Sequence, residues 1–298
     1  MELQSFINKT VMELSDIHNP KYQYISVYNK QLPSVQTVRE IVDIIREIVF
    51  PGYFGSPLVT ENSVQYYIGV NGERLYHLLF GQIHRALTFE INDDHDVRLI
   101  ADEKTFLFIE KIPEIKRILS TDIKAMYDND PAAKNYGEII LCYPAIRALL
   151  NYRIAHELFL SGIPLIPRII TEMAKTETGI DIHPGAVIGE YFSIDHGTGV
   201  VIGQTAIIGN HVFLYQGVTL GAKNFVLDEI GNPIDLPRHP ILEDNVIVYS
   251  NASILGRITI GKGTIVGGNV WLTHSVPPHS RITQHKATEN RFTDGLGI

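Results

Sequence analysis

The chain has 298 residues, 45% of them hydrophobic and 19% charged, with a formal net charge of −8. That length fits about two domains, and that composition supports a packed core and excludes global disorder. The acidic balance excludes a broad nucleic-acid surface, which needs clustered Lys and Arg, and the lone cysteine, Cys142, excludes an intrachain disulfide or a CxxC metal site.

The N-terminal segment lacks the basic-then-apolar order of a signal peptide, and no run of about 18 apolar residues occurs. A cytoplasmic location without a membrane span is therefore expected. Residues 34–48 place Val38, Ile41, Ile44, Ile45 and Ile48 on one stripe, which predicts an amphipathic helix. Residues 60–90 and 101–127 carry looser versions of that period, with breaks expected near Gly69, Gly72 and Asp93-Asp94. Residues 143–160 are apolar almost all round, which predicts a helix buried between neighbours. Arg147, Arg153, His156 and Glu157 argue against a membrane helix there.

Glycine marks a change of architecture. Residues 1–180 hold 8 glycines and residues 181–298 hold 16. From 181 onward the period becomes six. Leu242, Val248, Ile254, Ile260, Val266 and Leu272 form one ladder, and Val246, Ala252, Ile258, Thr264, Val270 and Val276 a second. Upstream, Ile188, Ile194, Ile202, Ile208, Leu214 and Leu220 repeat the pattern, with two residues inserted around Asp195–Gly199. An aliphatic residue every six positions, with glycine-rich corners, predicts a three-faced parallel β-helix. Between Leu220 and Leu242 the ladder stops, so residues 221–240 read as a loop extruded from one coil. The expected division is a helical domain over 1–178, a β-helix over 179–280 and a polar tail over 281–298.

Candidate chemistry falls where the rhythm breaks. His196 lies in the first irregular corner, beside Asp195, and reads either as a general base or as part of a surface turn. Asp181 precedes it by 15 residues, nearly one coil of 18, where a carboxylate can orient an imidazole. Arg238 and His239 stand where the loop rejoins the coil. They read either as a clamp for a substrate carboxylate or as a loop anchor. His274 and His279 raise zinc as an option, but they follow the last full coil, and no metal is expected. Walker, GxGxxG and Gly-x-Ser-x-Gly signatures are absent, which leaves acyl transfer as the leading reaction class.

Six segments together resemble bacterial serine O-acetyltransferase. They are Asp181–Gly189, Ile194–Gly203, Val218–Gly221, Arg238-His239-Pro240, and the helical pair Asp128–Ala132 and Tyr152–His156. The resemblance implies an α+β multidomain protein, an α-helical domain followed by a left-handed parallel β-helix. It implies acetyl transfer from acetyl-CoA to L-serine, the first step of cysteine biosynthesis from serine. By position, His196 becomes the general base and Asp181 its dyad partner. Asp130, Asp195, Arg238 and His239 hold serine, and Gly221, Ala222, Ser250 and Gly268 contact the coenzyme. The resemblance also implies a homotrimer or dimer of trimers, and a cysteine synthase that takes the terminal Ile298. Nucleic acid and membrane are not expected partners. The usual Gly-Glu-Thr-Ala of the family is here Gly203-Gln204-Thr205-Ala206. The alternatives are an acetyltransferase for another acceptor, such as a sugar, or a non-catalytic scaffold.

Overall fold

The computed structural model describes residues 3–16, 31–56, 58–90, 94–224 and 227–284. Seven helices come first: α1 (Leu3–Ser15), α2 (Val35–Val49), α3 (Val64–Glu90), α4 (Asp94–Asn129), α5 (Tyr136–Cys142), α6 (Pro144–Leu160) and α7 (Ile166–Thr178). The predicted stripe on α2 is buried throughout. Ser34 caps this helix, its hydroxyl accepting from the Thr37 N–H at 3.2 Å. The expected breaks at Gly69 and Gly72 do not occur, because α3 runs through both. Burial of Leu75, Leu79, Ile83, Ala86 and Leu87 along α3 outweighs the roughly 1 kcal/mol that each helical glycine costs. Asp93 lies outside the described residues. The all-round apolar segment is α6, which buries eleven residues. No described helix is long and apolar enough to cross a membrane.

α7 stops at Gly179, which takes the left-handed conformation at φ 71°, and the coils begin at once. Three parallel sheets form the faces of a prism. The first holds β1 (Asp181–Ile182), β4 (Val201–Ile202), β7 (Thr219–Gly221), β10 (Ser253–Leu255) and β13 (Trp271–Leu272). The second holds β2 (Val187–Ile188), β5 (Ile207–Ile208), β8 (Ile241–Leu242) and β11 (Thr259–Ile260). The third holds β3 (Ser193–Asp195), β6 (Phe213–Tyr215), β9 (Ile247–Val248), β12 (Ile265–Val266) and β14 (Arg281–Ile282). Every residue of the ladder from Ile188 to Leu220, and of its continuation from Leu242 to Leu272, is at most 6% exposed. This is the core that the period of six demanded.

Register locates the insertions. On the first face Asp181 lies opposite Val201, Val201 opposite Thr219, Thr219 opposite Ser253 and Ser253 opposite Trp271. The offsets are therefore 20, 18, 34 and 18 residues, so the first coil carries two extra residues and the third sixteen.

A parallel β-helix leaves the backbone of its first coil unpaired on the outer side, and those groups need partners. Here the helices supply them. Tyr152 donates its hydroxyl to the Ala186 carbonyl at 2.6 Å. Arg153 donates to the carbonyls of Ile188 at 2.6 Å and Gly189 at 2.7 Å. Asp122 accepts from the Phe192 N–H at 3.1 Å, and Thr121 from the Tyr191 N–H at 3.0 Å. Asp122 and Arg153 also pair with each other at 3.1 Å, with side chains 0% and 6% exposed. Burial pushes the Asp122 carboxyl up to about 6, and the Arg153 charge opposes the rise.

Replacing Arg153 with Met leaves Asp122 buried without its cation and two carbonyls without donors. Thermal unfolding is expected to reveal a loss of about 3–5 kcal/mol, the usual cost of breaking a buried pair on one side.

Candidate functional site

The site begins at the corner after β3. Asp195 pairs with Tyr215 in the third sheet, while Gly217 donates its N–H to the Thr198 carbonyl at 2.9 Å. The two extra residues of the first coil are thus His196 and Gly197. Both take the left-handed conformation, at φ 58° and 78°. Gly217, Asn251 and Asn269 hold the corresponding corner in later coils, and Gly and Asn are the residue types that tolerate it best. Gly197 is required by packing as well, since a Cβ there would sit 2.5 Å from Ile180 Cδ1. The His196 side chain is 73% exposed, and its Nε2 lies 3.8 Å from Asp195 Oδ2.

The helices reach the same corner. Asp130 follows α4 and accepts from the Ala132 N–H at 2.8 Å. Its other oxygen accepts the hydroxyl of Tyr143, which joins α5 to α6. The Tyr143 bond, the Ala132 N–H and the nearby His196 charge hold the Asp130 carboxyl below its ordinary range. The Tyr143 phenol is pushed up to about 12, first by its bond to Asp130, with Asp195 contributing. Asp130, Asp195 and His196 therefore form one cluster, which Tyr143 joins. No spacing pattern singles out Tyr143; its sole signal is the Tyr-Pro step between two helices. Asp181 is placed differently. Its carboxylate pairs with Lys175 Nζ at 2.8 Å, and among the described residues no ion pair joins it to His196.

Arg238 and His239 lie on a different edge, between the first and second faces. Thr205 organises them. Its hydroxyl accepts from the N–H of Arg238 at 2.9 Å and of His239 at 3.1 Å. Its own N–H donates to His239 Nδ1 at 3.2 Å. Nδ1 is thus an acceptor, so the neutral ring carries its proton on Nε2. Burial, then the charges of Arg238 and Arg257, pull the His239 imidazole down to about 4. His183, on the first coil, accepts the Gly185 N–H on Nδ1 at 3.0 Å and is likewise drawn down to about 4, chiefly by burial. Both rings are uncharged donors at neutral pH. Arg238 bonds Asp235 Oδ1 at 2.9 Å, the Leu236 carbonyl at 3.3 Å and Gln204 Oε1 at 2.7 Å.

No protein-family model matches the chain. The plasmid serine acetyltransferase of Synechococcus elongatus is 45% identical over 280 residues, which cover 90% of this chain and 86% of that relative. This chain belongs to the serine acetyltransferase family. Solved structures agree. Serine acetyltransferase 1 of Entamoeba histolytica, in complex with L-cysteine, matches at a TM-score of 0.71 and 34% identity, covering 92% of this chain and 94% of that one. The Neisseria gonorrhoeae serine acetyltransferase in complex with serine matches at 0.53 and 28% identity, covering 84% of this chain and 97% of that one.

Within this serine acetyltransferase the remaining sequence-predicted positions sort onto the same two edges. Ser250 and Gly268 rise above His196. They are stacked so that a Cβ on Gly268 would sit 3.2 Å from the Ser250 carbonyl oxygen. Gly221 ends β7 on the Arg238 edge and Ala222 follows it, and Gly221 accepts the Gly256 N–H at 2.9 Å. Among the described residues no three His, Cys, Asp or Glu side chains gather as a metal site. Gly203 gives the His239 ring its seat, since a Cβ there would fall 1.9 Å from Cδ2 and 2.1 Å from Nε2.

Gly203→Ala is expected to expel the imidazole from this seat. Overpacking of this kind costs about 1–3 kcal/mol, read by thermal unfolding, and the His239 ring should titrate closer to an ordinary histidine by NMR.

Proposed function

We infer that this chain transfers the acetyl group of acetyl-CoA to the hydroxyl of L-serine, giving O-acetyl-L-serine and coenzyme A, the first step from serine to cysteine. The observation that carries this reading is the cluster of Asp130, Tyr143, Asp195 and His196 at an inserted, exposed corner. His196 takes the hydroxyl proton while the serine oxygen attacks the thioester carbonyl. The C–O bond forms, the C–S bond breaks, and the imidazolium returns its proton to the departing thiolate. Asp130 and Asp195 face the substrate ammonium. Arg238 takes the carboxylate, and His239 offers its Nε2–H beside it. Asp181 serves as the dyad partner by exchanging Lys175 for the imidazolium that forms during the reaction.

The two edges lie apart on one prism. The four steps from Gly199 to Gly203 span about 13 Å of strand, and serine is too small to bridge that distance. The site is therefore completed between two copies, the His196 edge of one meeting the Arg238 edge of its neighbour. A homotrimer closes this pairing, because each prism then offers one edge to each neighbour. Pairing through the helical domain, 1–178, would make a dimer of trimers. The first face then turns toward the threefold axis, which covers Val201 and Trp271, 37% and 72% exposed in the single chain. Acetyl-CoA follows the same groove, with Ser250 and Gly268 on one wall and Gly221 and Ala222 on the other. The transferase domain spans 179–280 by its repeat, with the last strand, β14, running two residues further, and a cytoplasmic location fits the substrates. Docking of the tail, 281–298, to cysteine synthase belongs to this reading, and Ile298 lies outside the described residues.

Incubation with acetyl-CoA and L-serine is expected to release free thiol in a serine-dependent way. His196→Ala should lower kcat by about 10²–10⁴, the contribution of a positioned general base. Release with a sugar acceptor and none with serine would reject the assignment. Sharing of the site has its own test. His196→Ala and Arg238→Ala copies, each inactive, are refolded together in equal amounts. Random mixing should regenerate about one quarter of the native sites; no recovery would confine the site to one chain.

A further inference from the structure

The extruded loop is built rather than slack. Leu227 bridges Pro233 in antiparallel fashion, and the Asp228 N–H donates to the Asn232 carbonyl at 2.8 Å. Asp228 Oδ1 accepts from the N–H groups of Ile230 at 3.0 Å and Asn232 at 2.8 Å. This small hairpin delivers Asp235 to the prism edge. There Asp235 Oδ1 meets Arg238 Nη1 at 2.9 Å, while its Oδ2 accepts from Gln204 Nε2 at 3.3 Å. Gln204 Oε1 in turn accepts from Arg238 Nη2 at 2.7 Å. The three side chains close a ring, with the loop supplying its one negative charge and the prism a neutral amide.

We propose that Asp235 and Gln204 are positioning residues that set the guanidinium of Arg238 for the carboxylate of the amino-acid substrate. A guanidinium has five N–H donors. Two on Nη1 go to Asp235 and the Leu236 carbonyl, and one on Nη2 goes to Gln204. Among the described residues the Nε–H and one Nη2–H have no acceptor, and they are the pair that a carboxylate grips with two parallel bonds. Asp235 also balances the charge of Arg238, which the neighbouring neutral Gln204 cannot do. The hydrogen bond from Arg238, and then its charge, hold the Asp235 carboxyl below its usual range, consistent with a standing pair. Sixteen residues added to one coil thus deliver one carboxylate to the clamp. The assignment rests on the reading of Arg238 as the serine clamp.

Steady-state kinetics of Asp235→Asn should give a KM for serine raised about fivefold, the upper range for a solvent-exposed ion pair, with kcat and the KM for acetyl-CoA little changed. Adding Gln204→Glu to that variant restores a carboxylate on the other side of the guanidinium and should recover the serine KM. A purely structural role would move both substrates and would not be rescued. An unchanged serine KM in Asp235→Asn, a lowered one, or no rescue by Gln204→Glu overturns the proposal while serine acetylation by the native enzyme stands. A native enzyme inert toward serine overturns both.

Discussion

The unpaired backbone edge of the first coil is the constraint on which the rest of this protein depends. A solenoid satisfies its middle coils automatically and its ends not at all. Asp122, Tyr152 and Arg153 resolve the lower end with a buried ion pair and direct bonds to the coil backbone. Those bonds are directional, so they weld the helices to the prism in one orientation. The weld fixes the end of α4 over the third face. Asp130 is therefore brought to the corner that holds His196, although 65 residues of chain intervene. The same contacts that stabilise the fold bring Asp130 and His196 to one corner.

The other half follows from how a prism tolerates insertions. Each edge is a stack of tight corners, and extra residues can leave the coil only there. Two enter at His196 and Gly197 and push an imidazole outward. Sixteen enter at 221–240 and return through Arg238 and His239. Because the insertions use different edges, the His196 and Arg238 clusters stand apart on a single chain, and under the proposed function association of copies joins them. Gly203 shows how finely this is set. The ring of His239 rests where any side chain would stand, and the N–H of the next-but-one residue, Thr205, fixes its tautomer.

Charge is managed differently on the two edges. On the His196 edge, carboxylates dominate, and Tyr143 keeps Asp130 ionised by donating to it. On the Arg238 edge, burial among cations keeps His183 and His239 neutral, so they donate without adding to the positive charge. Serine carries one charge of each sign, and under the proposed function the two edges complement its two ends.

Much of this was legible in the sequence. The period of six determined the parallel prism because an aliphatic residue recurring at that spacing can be buried in no other common fold, and breaks in the period marked both insertions. Motifs named His196, Asp130, Asp195, Arg238 and His239 and, by resemblance, the chemistry. Local signals misled at Gly69 and Gly72, where helix propensity lost to core packing along α3. Spacing also carried no word of Tyr143, of the pairing of Asp181 with Lys175, or of the ring that joins Asp235, Gln204 and Arg238. Those depend on side-chain directions at points where distant segments meet. Periodicity is a property of one segment and can be read along the chain; a contact between segments is decided only when tertiary packing fixes both.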